Sequence, residues 1–145
     1  TLVAWATEQA QAQAVGRDEL EEAQLSAALG VGGTGRGAPS GSAKALKELE
    51  KEQKSRTTRA TRDCLDMALL DIATAYRDII TLQLNSDSEL INEDLRSEIS
   101  ALAQSSKPAS MLKRWEAVMA TRRTLNFNVA PLLAIEALLL NVKFK

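Results

Sequence analysis

GVGGTGRG, residues 30–37, decides between two fold classes. Gly30, Gly32 and Gly35 fit the dinucleotide pattern G-x-G-x-x-G, and Gly30 to Gly35 also spans the frame of the triphosphate loop G-x-x-x-x-G-K-[ST]. Either would make the chain an α/β nucleotide-binding enzyme. Both motifs need a strand feeding the loop and a helix opening directly after it, so that phosphate rests on the helix N-terminus. Here residues 21–29 read as helix. Arg36 stands where the triphosphate loop needs Lys, and Gly37 where it needs the hydroxyl that holds magnesium. The segment then runs on through Pro39 and Gly41. Residues 30–41 hold six of the chain's seven glycines, too much backbone freedom for a regular element. The stretch therefore reads as a flexible connector between helices, and no nucleotide cofactor is expected.

The rest of the composition agrees with an all-α fold. The chain has 145 residues, about one domain, and is 45 % apolar. Aromatics are only 3 %, and Leu and Ala dominate, which favours helices over a β-sandwich or barrel. A net charge of −1 gives the whole chain no electrostatic bias toward polyanions. The absence of His removes the commonest general base and metal ligand. The single Cys64 can form no internal disulfide and cannot alone hold zinc, and a cytoplasmic protein is expected. No apolar run reaches the ~18 residues of a membrane span. The chain starts at Thr1 without a signal-like segment, which suggests a piece of a longer protein.

Residues 1–15 read as an Ala-rich helix ended by Gly16, and residues 18–29 as a second helix capped by Asp18. Beyond the glycine loop, with Ser42 as cap, nothing breaks the helical pattern from 43 to about 84, so one very long helix is expected. Its first half, residues 43–62, carries a charge of +4. Its second half shows an apolar stripe at Leu65, Leu69, Ile72, Tyr76 and Ile79, and Met67, Leu70, Ile80 and Leu82 outside the stripe predict burial on more than one side. Asn85-Ser86-Asp87-Ser88 is a break, with Asn92 a candidate cap for the next helix. Residues 86–104 carry −4. Pro108 opens a helix expected to bury Met111, Leu112, Trp115, Val118, Met119 and Leu125. Asn128 then starts a last helix, to about Val142, apolar on nearly its whole circumference. Such a helix must be buried all round, as the centre of the bundle or against a partner.

Chemistry is sparse. Arg56, Arg59 and Arg62 recur every three residues and, with Lys51 and Lys54, could touch a phosphate backbone. Asp63 and Asp66 follow Arg59 and Arg62 by four, the spacing of local ion pairs, so a paired or solvated face competes with that reading. Cys64 has no His to activate it and reads as a small core residue. Neighbouring carboxylates such as Glu93 and Asp94 read as solvated surface. No catalytic, cofactor-binding or metal-binding constellation emerges.

Four stretches carry a resemblance: KELEKEQKSRTTRATRDCLDMAL (47–69), YRDII (76–80), LINEDLRSEISALA (90–103) and NVAPLLAIEALLL (128–140). Together they resemble the C-terminal region of the delta-prime subunit of the bacterial DNA polymerase III clamp loader, nearest the form of high-GC Gram-positive bacteria. The runs Q-K-S-R-x-T-R and G-x-G-G-T-G-[KR]-G resemble that lineage, and N-V-x-P-x-L-A-[IVL]-E-A-L-L-L resembles clamp-loader subunits more widely. The resemblance implies a helical collar domain over residues 43–145, a flexible loop over 30–42, and N-terminal helices over 1–29 leading from absent ATP-binding-type domains. It implies a non-enzymatic role, the oligomerisation of delta-prime with delta and tau/gamma into a ring for loading the sliding clamp. Trp115, Met119, Leu132, Leu133, Ile135 and Leu139 are the candidate interface, with no membrane partner. The opposite charge blocks 43–62 and 86–104 would help set the register of such contacts. Two alternatives stand beside it: the similar collar of the tau/gamma paralogue, and a DNA-binding helical module using Lys51, Lys54, Arg56, Arg59 and Arg62.

Overall fold

The computed structural model describes residues 1–30, 41–127 and 129–142. Among these there are five α-helices and one 3-10 turn, and no strand. The helices are α1 (Leu2–Ala28), α2 (Ser42–Gln83), α3 (Arg96–Ser105), α4 (Pro108–Leu125) and α5 (Pro131–Val142), with the turn at Glu93–Leu95. The fold is all-α, as the composition and periodicity predict. The glycine loop and the expected Asn128 cap fall on residues 31–40 and 128, outside the described residues. By internal packing the chain divides into two compact units, residues 1–64 and 65–145.

The first unit joins α1 to residues 42–64 of α2. The expected break at Gly16 does not occur: α1 runs unbroken through it for 27 residues. A glycine inside a helix costs only about 1 kcal/mol relative to Ala, and tertiary anchoring outweighs it. Ala6, Ala10 and Ala14, four residues apart, are buried on one face. Residues from Ala10 to Arg17 share a concavity with Arg56, Thr57 and Ala60 of α2. Asp18 caps no helix. Its carbonyl instead accepts Gln53 Nε2 at 3.0 Å. Earlier residues of α1 face later residues of α2, so the two run antiparallel.

α2 is a single helix of 42 residues, as expected. It starts on Gly41 rather than on a Ser42 cap, because the amides of Lys44 and Ala45 donate to the Gly41 carbonyl. At about 1.5 Å per residue it runs about 63 Å. Its later part belongs to the second unit, where Leu65, Leu69, Ala73 and Ile79 are buried. Ile79, Ile99 and Met111 bring α2, α3 and α4 together, with Tyr76, Ile80, Leu82 and Ala103 packed around them. The expected stripe is only partly buried. Ile72 and Met67 are exposed, and so is Leu112 of α4, because these α2 and α4 faces meet no other described element.

Candidate functional site

Two groups of residues are candidates for function: the outer face of α5 and the charged side chains of α2. Pro131 sits at the first position of α5, where its missing N–H is no loss, and the Ala134 amide closes the first turn on the Ala130 carbonyl. Ala134, Ile135 and Leu138 turn inward, and α5 packs on α4. At 100° per residue, Leu132, Leu133, Leu139 and Leu140 then lie on the opposite side, with Glu136 the one charge among them. These four leucines are 47 %, 61 %, 63 % and 71 % exposed. The expectation that α5 is buried all round therefore fails among the described residues, because α4 packs on one side of it and leaves the other exposed.

Of the interface candidates, Leu132, Leu133 and Leu139 share this outer face. Ile135 does not: it is a core residue, 6 % exposed. Trp115 and Met119, one turn apart on α4, are half-buried. Two residues outside the expected set are also exposed and apolar. Leu140 lies beside Leu133, and Phe127, just past α4, is 70 % exposed. Both were visible in the sequence as apolar residues beyond the needs of a core stripe.

The basic candidates separate. Arg56 is engaged: its guanidinium grips both carboxylate oxygens of Glu21, with Nη1 to Oε1 at 2.9 Å, and Nη2 also reaches Asp18 Oδ1 at 3.3 Å. The bonds from Arg56 hold the Glu21 carboxyl below its ordinary value, against the opposing effect of desolvation. Lys54 pairs with Glu50 one turn back on α2. Arg59 bonds to the carbonyl and hydroxyl of Ser55 on its own helix. Lys51 is exposed. The expected pairing of Arg62 with Asp66 is replaced: Asp66 receives Arg122 of α4 through two bonds of 2.8 Å. A planar guanidinium meeting a carboxylate with both arms is a better geometry than a local pair on one helix. Those bonds keep the Asp66 carboxyl below its usual range, although desolvation pushes the other way.

The sequence reading passed over Asp78. Its side chain is fully buried among apolar neighbours on α2. Oδ1 accepts Arg77 Nη1 at 2.8 Å and the Ile91 amide at 3.1 Å, and Oδ2 accepts the Asn92 amide at 2.7 Å and Asn92 Nδ2 at 2.8 Å. Asn92 precedes the 3-10 turn as expected, but its side chain bonds Asp78 and Thr74 rather than capping the turn. Burial by itself would raise the Asp78 pKa. The Asn92 amide, the Arg77 guanidinium, the Ile91 amide and the Asn92 side chain overcome it and leave the carboxyl below its ordinary value. The signal was a carboxylate placed between the apolar positions Tyr76 and Ile79 of the stripe.

These arrangements are ion pairs and hydrogen bonds that join helices and linkers. Among the described residues no three His, Cys, Asp or Glu side chains gather as a metal site. Cys64 is half-buried. No described helix is long and apolar enough to cross a membrane.

Comparison with known families adds what geometry alone does not. Residues 45–143 match the family described as DNA polymerase III, delta subunit, C terminal. The chain belongs to that family, and so is a C-terminal domain of a DNA polymerase III subunit of the clamp loader. No curated protein and no solved structure matched the chain. The matched span covers almost all of α2 and every helix after it, and leaves α1 outside.

Proposed function

We propose that this chain is the collar domain of a clamp-loader subunit of the delta-prime type, and that it works by assembly. Residues 43–145 form the collar, and residues 1–29 lead into it from ATP-binding-type domains. Its partners are the delta and tau/gamma subunits, which it joins in a closed ring that holds the loader together while the sliding clamp is placed. The delta-prime assignment rests on the resemblance of the runs at residues 53–59 and 30–37, while the run at 128–140 speaks for a clamp-loader subunit more widely.

One observation carries the reading: α5 turns four leucines outward with a single carboxylate among them. An apolar row of this kind on a family member built for a multisubunit enzyme fits a docking face. Heterologous contacts of this kind close a ring when one face of each subunit meets a different face of the next.

Native mass spectrometry of the chain mixed with whole delta and tau/gamma subunits tests it. A defined mixed complex is expected, and Leu133→Asp with Leu140→Asp should abolish it while leaving the melting temperature of the chain alone nearly unchanged, because both side chains are solvent-facing. If the chain ignores both partners, or if the double variant assembles as the parent does, the α5 face is not the docking surface.

A further inference from the structure

The charged stretch that the collar reading leaves unused is the start of α2. The structure redraws it. Arg56 is taken up by Glu21 and Asp18, Lys54 by Glu50, and Arg59 turns back to Ser55. Lys44, Lys47 and Lys51 are all exposed and form no ion pair with any described residue. Their spacing of three and four places them on one face of α2. They converge on a shallow concavity of about 440 Å³ that they line together with Ala43 and Glu48.

In the antiparallel pair, Asp18 and Glu21 of α1 lie beside Gln53 and Arg56. With Asp18 beside Gln53, the antiparallel register sets about residues 20–27 of α1 opposite Lys51–Lys44. Residues 23–29 and 42–47 contain no Asp or Glu, and the concavity itself holds three lysines against the single carboxylate of Glu48. Glu21 and Asp18 are taken up by Arg56 and Glu50 by Lys54, so the concavity keeps a net positive charge.

We propose that this closed end of the α1–α2 hairpin, through Lys44, Lys47 and Lys51, binds the phosphate backbone of nucleic acid without reading its sequence. The composition of the concavity selects this partner. Nothing apolar larger than Ala43 lines it, and a folded protein would need a desolvated apolar centre to dock. No aromatic side chain is present for bases to stack on, so the contact is with phosphate alone.

Fluorescence anisotropy of a labelled mixed-sequence duplex, titrated with the whole chain, tests the proposal. Three lysines on three phosphates give a slope of log K against log salt near −0.9 × 3, about −2.7. Between about 50 and about 200 mM salt the affinity should fall about 40-fold. The triple variant Lys44→Gln, Lys47→Gln, Lys51→Gln should bind at least about tenfold more weakly at the lower salt and flatten the slope. Gln keeps the helix propensity, and Lys44 lies at the positive end of the α2 dipole, where losing a cation favours the helix. A loss of binding with unchanged helicity by circular dichroism therefore reads as a loss of contact. Lys113→Gln, on α4, should bind as the parent does. No anisotropy change for the parent at about 50 mM salt, an unaltered triple variant, an equal loss in the Lys113 variant, or a strong preference between two unrelated duplex sequences would each overturn it.

Discussion

Replacing Asp78 with Asn tests the polar anchor of the segment that links α2 to α3. The carboxylate accepts four hydrogen bonds and shows no solvent exposure. An amide of the same shape keeps one oxygen and presents an NH2 where the other stood. If the oxygen stays toward Asn92, the NH2 faces the Ile91 amide and Arg77; reversed, it faces the amide and side chain of Asn92. Either way a backbone N–H loses its acceptor, which costs about 1–3 kcal/mol, and the remaining bonds lose their charge assistance, about 1 kcal/mol more. Arg77 is 36 % exposed and can turn to water, so it adds little. The total is about 3 kcal/mol, or a melting temperature about 10 °C lower for a chain of this length unfolding in one step. Exchange of the Ile91 and Asn92 amides should quicken about 100-fold. The pH dependence has a definite sign. The native carboxyl sits below its ordinary 3.8, so its contribution is complete at neutral pH and is lost as pH falls through the native value. The gap between parent and variant should close in acid. A variant within about 1 kcal/mol of the parent, with unchanged exchange at residues 91 and 92, would refute the anchoring role.

Gly16→Ala should stabilise the chain by about 0.5–1 kcal/mol, because Gly16 is helical and an added Cβ meets nothing within 4 Å; a lower melting temperature would mean that α1 needs a kink there. Asp66→Asn should cost about 1–2 kcal/mol by urea unfolding, since it removes the charge from a two-armed, partly exposed pair with Arg122. That loss, too, should fade in acid, because the Asp66 carboxyl is held below its usual value and its contribution disappears as it protonates.

The sequence made helix content and the length of α2 legible, because both follow from a local period that no Gly or Pro interrupts between 43 and 84. What it hid depended on partners distant in the chain. Gly16 carried a true breaker signal, but the cost of one glycine is smaller than what α1 gains against α2. Asp66 had a candidate partner four residues away and took one 56 residues away, where both arms of the guanidinium could engage. Asp78 has no signal of its own in the local period beyond its place between Tyr76 and Ile79. Its role exists only once residues 91 and 92 fold back onto α2. The outer face of α5 was legible in composition but not in outcome: an all-round apolar helix fits a bundle centre as well as a docking face, and only the placement of the other helices separates the two.

On the proposed reading, the α5 leucines also limit how tightly any one pair of subunits can hold. Burying a leucine completely is worth about 1.5–3 kcal/mol, and the four outer leucines are on average about 60 % exposed. Their full burial would contribute roughly 4–7 kcal/mol, no more than the low end of the 4–15 kcal/mol that association costs in lost freedom. A single α5 contact is therefore weak by itself. A ring changes this balance, since closing it makes the last contact intramolecular at high effective concentration. Pairwise mixtures with delta or with tau/gamma should give only partial complexes, and all three together a far more stable one. Tight binding to one isolated partner would place the main interface somewhere other than α5.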